Sequence, residues 1–148
     1  MPYAIQSILY ASDLSPEAPV VFRHAVGLAH EFGAKLHAIT VYRTGITLPE
    51  DREKDKPHPG EDVLNTRVNE FDEKYPDYEV RKVLATVKEL GGDPAKVILE
   101  MADELSADVI VMGSRGHNAL EEVLLGSVSH KVQMKSKIPV FLVPIDRE

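Results

Sequence analysis

Short apolar runs alternate with longer amphipathic segments along most of the chain, and this alternation restricts the possible fold more than any other feature. The runs are IQSILYAS at 5–12, KLHAITVY at 35–42, YEVRKVLATV at 78–87, ADVIVMGS at 107–114 and IPVFLVP at 138–144. Each has the length and apolar content of a strand. Between them, apolar residues recur at helical spacing: Val21, Ala25, Leu28 and Phe32; Leu64, Val68, Phe71 and Tyr75, broken at Pro76; and Val97, Ile98, Met101 and Leu105. A last helix is expected from Ser127 to Lys137. Strands separated by helices of this length pair in parallel, through right-handed crossovers that lay helices on both sheet faces. The expected fold is α/β, a doubly wound three-layer sandwich, Rossmann-like, with a five-stranded parallel sheet and four helices. At 148 residues it forms a single domain, 1–148.

The punctuation agrees with these elements. Gly33 is placed to stop the first helix. Its start is ambiguous, because Pro19 at the first helical position after Ala18 competes with a cap at Ser15. Asp93 can cap the third helix with Pro94 at its first position. The YEVRKVLATV run alternates more than it stays apolar, as expected of a strand exposed on one face or near a sheet edge. Residues 43–62 are rich in Pro, Gly, Lys, Glu and Asp without an apolar period, and read as a loop.

In open parallel sheets, ligands bind at the carboxyl ends of the strands where the strand order reverses. The first and fourth strands end at Asp13 and Gly113, and after the fourth the chain reads GSRGHNALEEVLLGSVSHKV. Glycine serves where backbone takes a positive φ or comes very close to another group. A helix opening at Ser127 would present unpaired amide N–H groups and a positive dipole end, which favour an anion. Gly126 removes the side chain that would block approach, and the hydroxyls of Ser127 and Ser129 can add hydrogen bonds. A phosphate chain fits such a cradle. A second reading stands beside it: Gly113 and Gly116 make a tight turn and Gly126 relieves packing at a helix start. Neither the P-loop pattern nor the G-x-G-x-x-G dinucleotide fingerprint is present.

Composition removes several classes of function. With 43% hydrophobic and 28% charged residues the chain has the make-up of a soluble globular protein. It has no cysteine, so no disulfide, thiol nucleophile or zinc-thiolate site is available. IPVFLVPI at 138–145 is far too short to span a bilayer, and the start carries no export signal, so no membrane is expected and the cytoplasm is the expected compartment. A net charge of −7 argues against nucleic acid as a partner. Residues 113–137 nonetheless carry four cations, Arg115, Lys131, Lys135 and Lys137, against Glu121 and Glu122. The one basic region contains the glycine stretch.

The full pattern G-x2-G-x9-G-[ST], here Gly113, Gly116, Gly126 and Ser127, follows the strand DVIVMGS and precedes a closing IPVFLVP. With the opening ILYASDLS and the segments LAHEFGAKLHAITVY and ILEMADELSADVIVMGSRG, it resembles the universal stress protein family, specifically its ATP-binding branch. The likeness implies strand order 3-2-1-4-5 with ATP, or ADP or AMP, across strands one and four. It implies adenine against the backbone near Val41, and Asp13 and Ala11 along the ribose. Ribose and phosphates would be held by Gly113, Ser114, Arg115 and Gly116 together with Gly126, Ser127, Val128 and Ser129. Ser12 and Met112 complete the set at the strand ends. Ala11 stands where many relatives have proline.

Asp13 could bond a ribose hydroxyl or help hold Mg2+ or Mn2+ on the phosphates, or it could cap the turn after its strand. Arg115 is the one cradle side chain able to pair strongly with phosphate. The histidines, His117 and His130 included, show no ligand spacing, and Glu121 and Glu122 read as solvated helix carboxylates. Only a charge stabiliser is evident, without a convincing base or nucleophile. The expectation is therefore an ATP-binding stress-response or regulatory module with slow or no hydrolysis. The alternative is an ATP-hydrolysing or phosphoryl-transferring enzyme using Asp13 and Arg115 with a divalent metal. The uncharged run at 138–144, expected at a sheet edge, is suited to antiparallel pairing with its own copy in a homodimer.

Overall fold

A computed structural model describes residues 4–12, 18–43, 66, 69, 73, 80–87, 93–114 and 127–145. Five strands, β1 (Ser7–Ser12), β2 (Lys35–Arg43), β3 (Val80–Val87), β4 (Val109–Gly113) and β5 (Val140–Val143), form one sheet in the order β3-β2-β1-β4-β5. All neighbouring pairs are parallel. Three helices are described along their length, which we label α1 (Ala18–Phe32), α2 (Pro94–Glu104) and α3 (Ser127–Lys135). Thr66, Asn69 and Glu73 are also helical and exposed, consistent with the outer face of the helix expected there. Its predicted buried face, Leu64, Val68, Phe71 and Tyr75, lies outside the described residues.

Successive strand residues point to opposite faces, and this period of two divides the core. Ile8, Tyr10, Leu36, Ala38, Val109 and Val111 pack with Val21, Phe22, Ala25, Val26 and Ala29 of α1, where the Tyr10 and Phe22 rings lie 5.3 Å apart. Leu9, Ala11, Ile39, Ile110 and Met112 pack on the other face with Ala95, Ile98 and Ala102 of α2 and Val132 of α3. Truncating a fully buried Leu9 or Ile110 to alanine would cost about 2–5 kcal/mol.

Element ends differ from the sequence expectation where local hydrogen bonds intervene. Gly33 takes φ +61°, and Ala34 N–H donates to Ala29 C=O at 2.9 Å while Gly33 N–H donates to His30 C=O at 3.4 Å. Phe32, just before this left-handed exit, is 50% exposed rather than buried. Asp93 and Pro94 begin α2 as expected, with Asp93 Oδ1 accepting from Ala95 N–H at 3.0 Å. Its buried stripe centres on Ala95, Ile98 and Ala102, small enough for close approach to the sheet, with Val97, Met101 and Leu105 half-buried on the flanks.

The fourth strand starts at Val109, not at 107, because α2 ends in a turn with Ser106 at φ 51° and Ala107 N–H bonded to Ala102 C=O. Helix α3 stops at Lys135, two residues early, and Ser136 Oγ then bonds both N–H and C=O of Ile138. That turn delays β5 to Val140.

Candidate functional site

The order of the strands reverses between β1 and β4, whose carboxyl ends therefore flank a crevice. Tyr10 stands opposite Val111, so Ser12 and Gly113, two residues further along each strand, come out level. On the other side of β1, Ser12 stands opposite Thr40, and Val41 follows it. Ala11 and Met112 are buried in the α2/α3 layer, against which Val41 and Val128 are packed. The sequence-predicted residues Ala11, Val41, Met112 and Val128 are thus brought into one apolar cluster on that face. Ser12 is also buried.

Gly113 makes its close approach on the opposite face. A Cβ there would stand 2.6 Å from Ile145 Cδ1 and 3.4 Å from Val21 Cγ2, so the side chains of α1 and of the segment after β5 occupy its space. Its φ lies outside the left-handed region. Packing therefore supplies a reason for this glycine that is independent of any ligand.

Beyond Gly113 the chain is held from two sides. Ser114 N–H donates to Val143 C=O of β5 at 2.9 Å, and Ser114 C=O accepts from Ser129 Oγ at 3.0 Å. Ser129, expected as a cradle hydroxyl, is 3% exposed and directed at the backbone. Ser127 at the head of α3 is exposed, and the first turn of α3 contains no acidic residue. Asp13, Arg115, Gly116 and Gly126 lie outside the described residues, as do His117, Glu121 and Glu122.

Sequence reasoning missed the contact that joins the two helices of this layer. Lys131 Nζ lies 3.3 Å from Asp93 Oδ2, so one carboxylate both caps α2 and pairs with α3. Slight desolvation works to raise the Asp93 pKa, but the Ala95 N–H and the Lys131 ammonium outweigh it, holding the carboxyl below its ordinary range. The two residues are 38 positions apart, beyond any local pattern. His37, on β2, is buried as well, which its place among alternating strand residues signalled only weakly.

Comparison with known proteins follows the same outline. The model of the universal stress protein family matches residues 4–144. Universal stress protein MJ0531 of Methanocaldococcus jannaschii is 33% identical over 139 residues, 89% of this chain and 76% of that protein. Stress response protein NhaX of Bacillus subtilis is 54% identical over 54 residues, which span 36% of this chain but only 32% of NhaX. Among solved structures, hypothetical protein MJ0577 superposes with a TM-score of 0.77 at 24% identity, covering 99% of this chain and 100% of that one. A universal stress protein in complex with cAMP superposes at 0.71 and 24%, covering 97% and 100%. One from Archaeoglobus fulgidus in complex with dAMP does so at 0.65 and 24%, covering 96% and 98%. At these identities the superpositions establish the fold.

Proposed function

The chain belongs to the universal stress protein family, and from that premise we propose that it is a regulatory module that binds ATP, with ADP or AMP as lesser ligands, across β1 and β4. One observation carries the reading. The 3.0 Å bond from Ser129 Oγ to Ser114 C=O draws the start of α3 onto the end of β4 at the point of order reversal. Amide donors at the head of a helix, with no carboxylate in the first turn, suit an anion there. Two structural neighbours are complexes with adenine nucleotides, cAMP and dAMP.

In this reading adenine lies against the backbone near Val41, and Ala11, Ser12 and Asp13 line the ribose. Met112 forms the floor. The ribose and phosphates are received by Gly113, Ser114, Arg115 and Gly116 and by Gly126, Ser127, Val128 and Ser129. Asp13 and the phosphates would share Mg2+ or Mn2+, whose positive charge offsets the negative charge of the triphosphate. Without a convincing base in the set, hydrolysis is slow or incidental. The unit works as a single domain in the cytoplasm, and no helix among the described residues is long and apolar enough to cross a membrane. It also forms a homodimer through residues 138–144. The support is that β5 ends the sheet and Phe141 is 39% exposed on it.

Calorimetric titration tests the ligand. ATP is expected to bind and to raise the melting temperature, with turnover of labelled ATP below about 1 s⁻¹. No binding at millimolar ATP, with or without Mg2+, overturns the reading. Steady hydrolysis at ordinary enzyme rates, lost in Asp13→Ala, would establish the phosphoryl-transfer alternative instead.

A further inference from the structure

We infer that the side chain of Ser129 is a positioning group of the nucleotide site rather than a ligand of it: its buried hydroxyl fixes the end of β4 and the seating of α3 in the arrangement that receives phosphate. The inference rests on the nucleotide reading above and refines it.

Ser129 is the third residue of α3, one turn inside neither end of the crevice but directly behind the exposed Ser127. Its neighbours Val128 and Val132 belong to the apolar layer beneath, so the hydroxyl sits where water competes little for its bond. The acceptor is Ser114 C=O, and the N–H of the same residue is bonded to Val143 of β5. The peptide groups before and after Ser114 are therefore both fixed, one by the sheet and one by α3. The amide N–H of Ser114 is thereby spent on the sheet, and one lone pair of its carbonyl on α3.

The other polar contact of α3 is weaker. Lys131 and Asp93 are substantially exposed, and such pairs contribute little to holding a geometry. The Ser129 bond is the buried one, and its loss would leave the Ser114 carbonyl without this partner and α3 free to shift along the apolar layer. Apparent affinity falls by the fraction of molecules that still hold the receptive arrangement. The loss falls mostly on the phosphates, because Ser129 and Ser114 lie at α3 and β4, whereas adenine and one side of the ribose are assigned to β2 and β1.

The test is competition titration of ATP and of adenosine against a fluorescent adenine nucleotide, on the full chain and on Ser129→Ala. The expected result is a roughly three- to tenfold loss of ATP affinity, the size of one net hydrogen bond, with adenosine affinity changed by less than about twofold. A loss shared equally by both ligands means a general loosening and overturns the positioning role. Unchanged ATP affinity in a natively folded variant overturns it too. If Ser129→Ala melts below the titration temperature, Ser129→Cys, similar in volume but a weak donor, must show the same split between ATP and adenosine. Absence of ATP binding by the unaltered chain would instead refute the nucleotide reading itself, and is seen before any variant is made.

Discussion

Helices α2 and α3 lie side by side on one face of the sheet, yet they begin in opposite ways. Helix α2 starts behind Asp93, whose carboxylate bonds Ala95 N–H, and carries Pro94 at its first position, where a missing N–H costs nothing. Its positive end is neutralised from within the chain. Helix α3 starts behind Gly126, which has no side chain to cap with, and its first turn holds no carboxylate. The same peptide dipole is thus closed by the chain in α2, and in the proposed site would face an external anion in α3. Lys131 of α3 even reaches across to the carboxylate that closes α2. Of these two helix starts, one is capped by the chain's own carboxylate and the other carries glycine and serine with no carboxylate.

The contrast can be broken most severely at Gly126. Gly126→Val puts a branched side chain immediately before α3, where phosphate is proposed to approach. ATP affinity is expected to fall at least about a hundredfold while the circular dichroism spectrum stays native, an estimate based on excluding a phosphate contact altogether. Unchanged affinity in a native-like variant would remove the cradle at this helix from consideration.

A gentler change makes α3 resemble α2. Ser127→Asp supplies a carboxylate to the first turn, which favours the free helix by about 0.3–1 kcal/mol. It also repels the triphosphate, so ATP affinity should drop about ten- to a hundredfold as the melting temperature holds or rises. Stability and binding moving in opposite directions is the signature. Tighter ATP binding would contradict an anion site here.

The smallest effect is expected at the closed helix. Asp93→Ala removes a cap worth about 1 kcal/mol, which for a chain of this length lowers the melting temperature by about 2–4 °C at pH 7. The folded carboxyl titrates below its ordinary value of 3.8. Its contribution is therefore complete above about pH 4, where the unfolded group is also ionised, and is lost as pH falls through the folded pKa. Thermal melts at pH 7 and pH 3 should show the gap between variant and parent closing in acid. A gap that stays constant would mean that the carboxylate charge does not matter at this cap.

Much of this architecture is written in local pattern. The alternation of strand runs and helical stripes determined an α/β fold, and the alternating pattern of YEVRKVLATV suited either one-face exposure or the edge position that β3 takes. Asp93, Pro94 and Gly33 marked their helix ends because capping and left-handed turns involve residues two to five apart. The glycine and serine spacing after β4, with the family resemblance, singled out the crevice between β1 and β4. What the tertiary structure decided lies between residues far apart in the chain. It turned Gly113 toward Ile145 and Val21, gave the hydroxyl of Ser129 to Ser114, and set Lys131 on Asp93. Backbone propensity, capping and period act over one or two turns and leave their mark in neighbouring residues. A hydroxyl's choice between a ligand and a carbonyl 15 residues away depends on how α3 settles on the sheet, and no neighbouring residue records that.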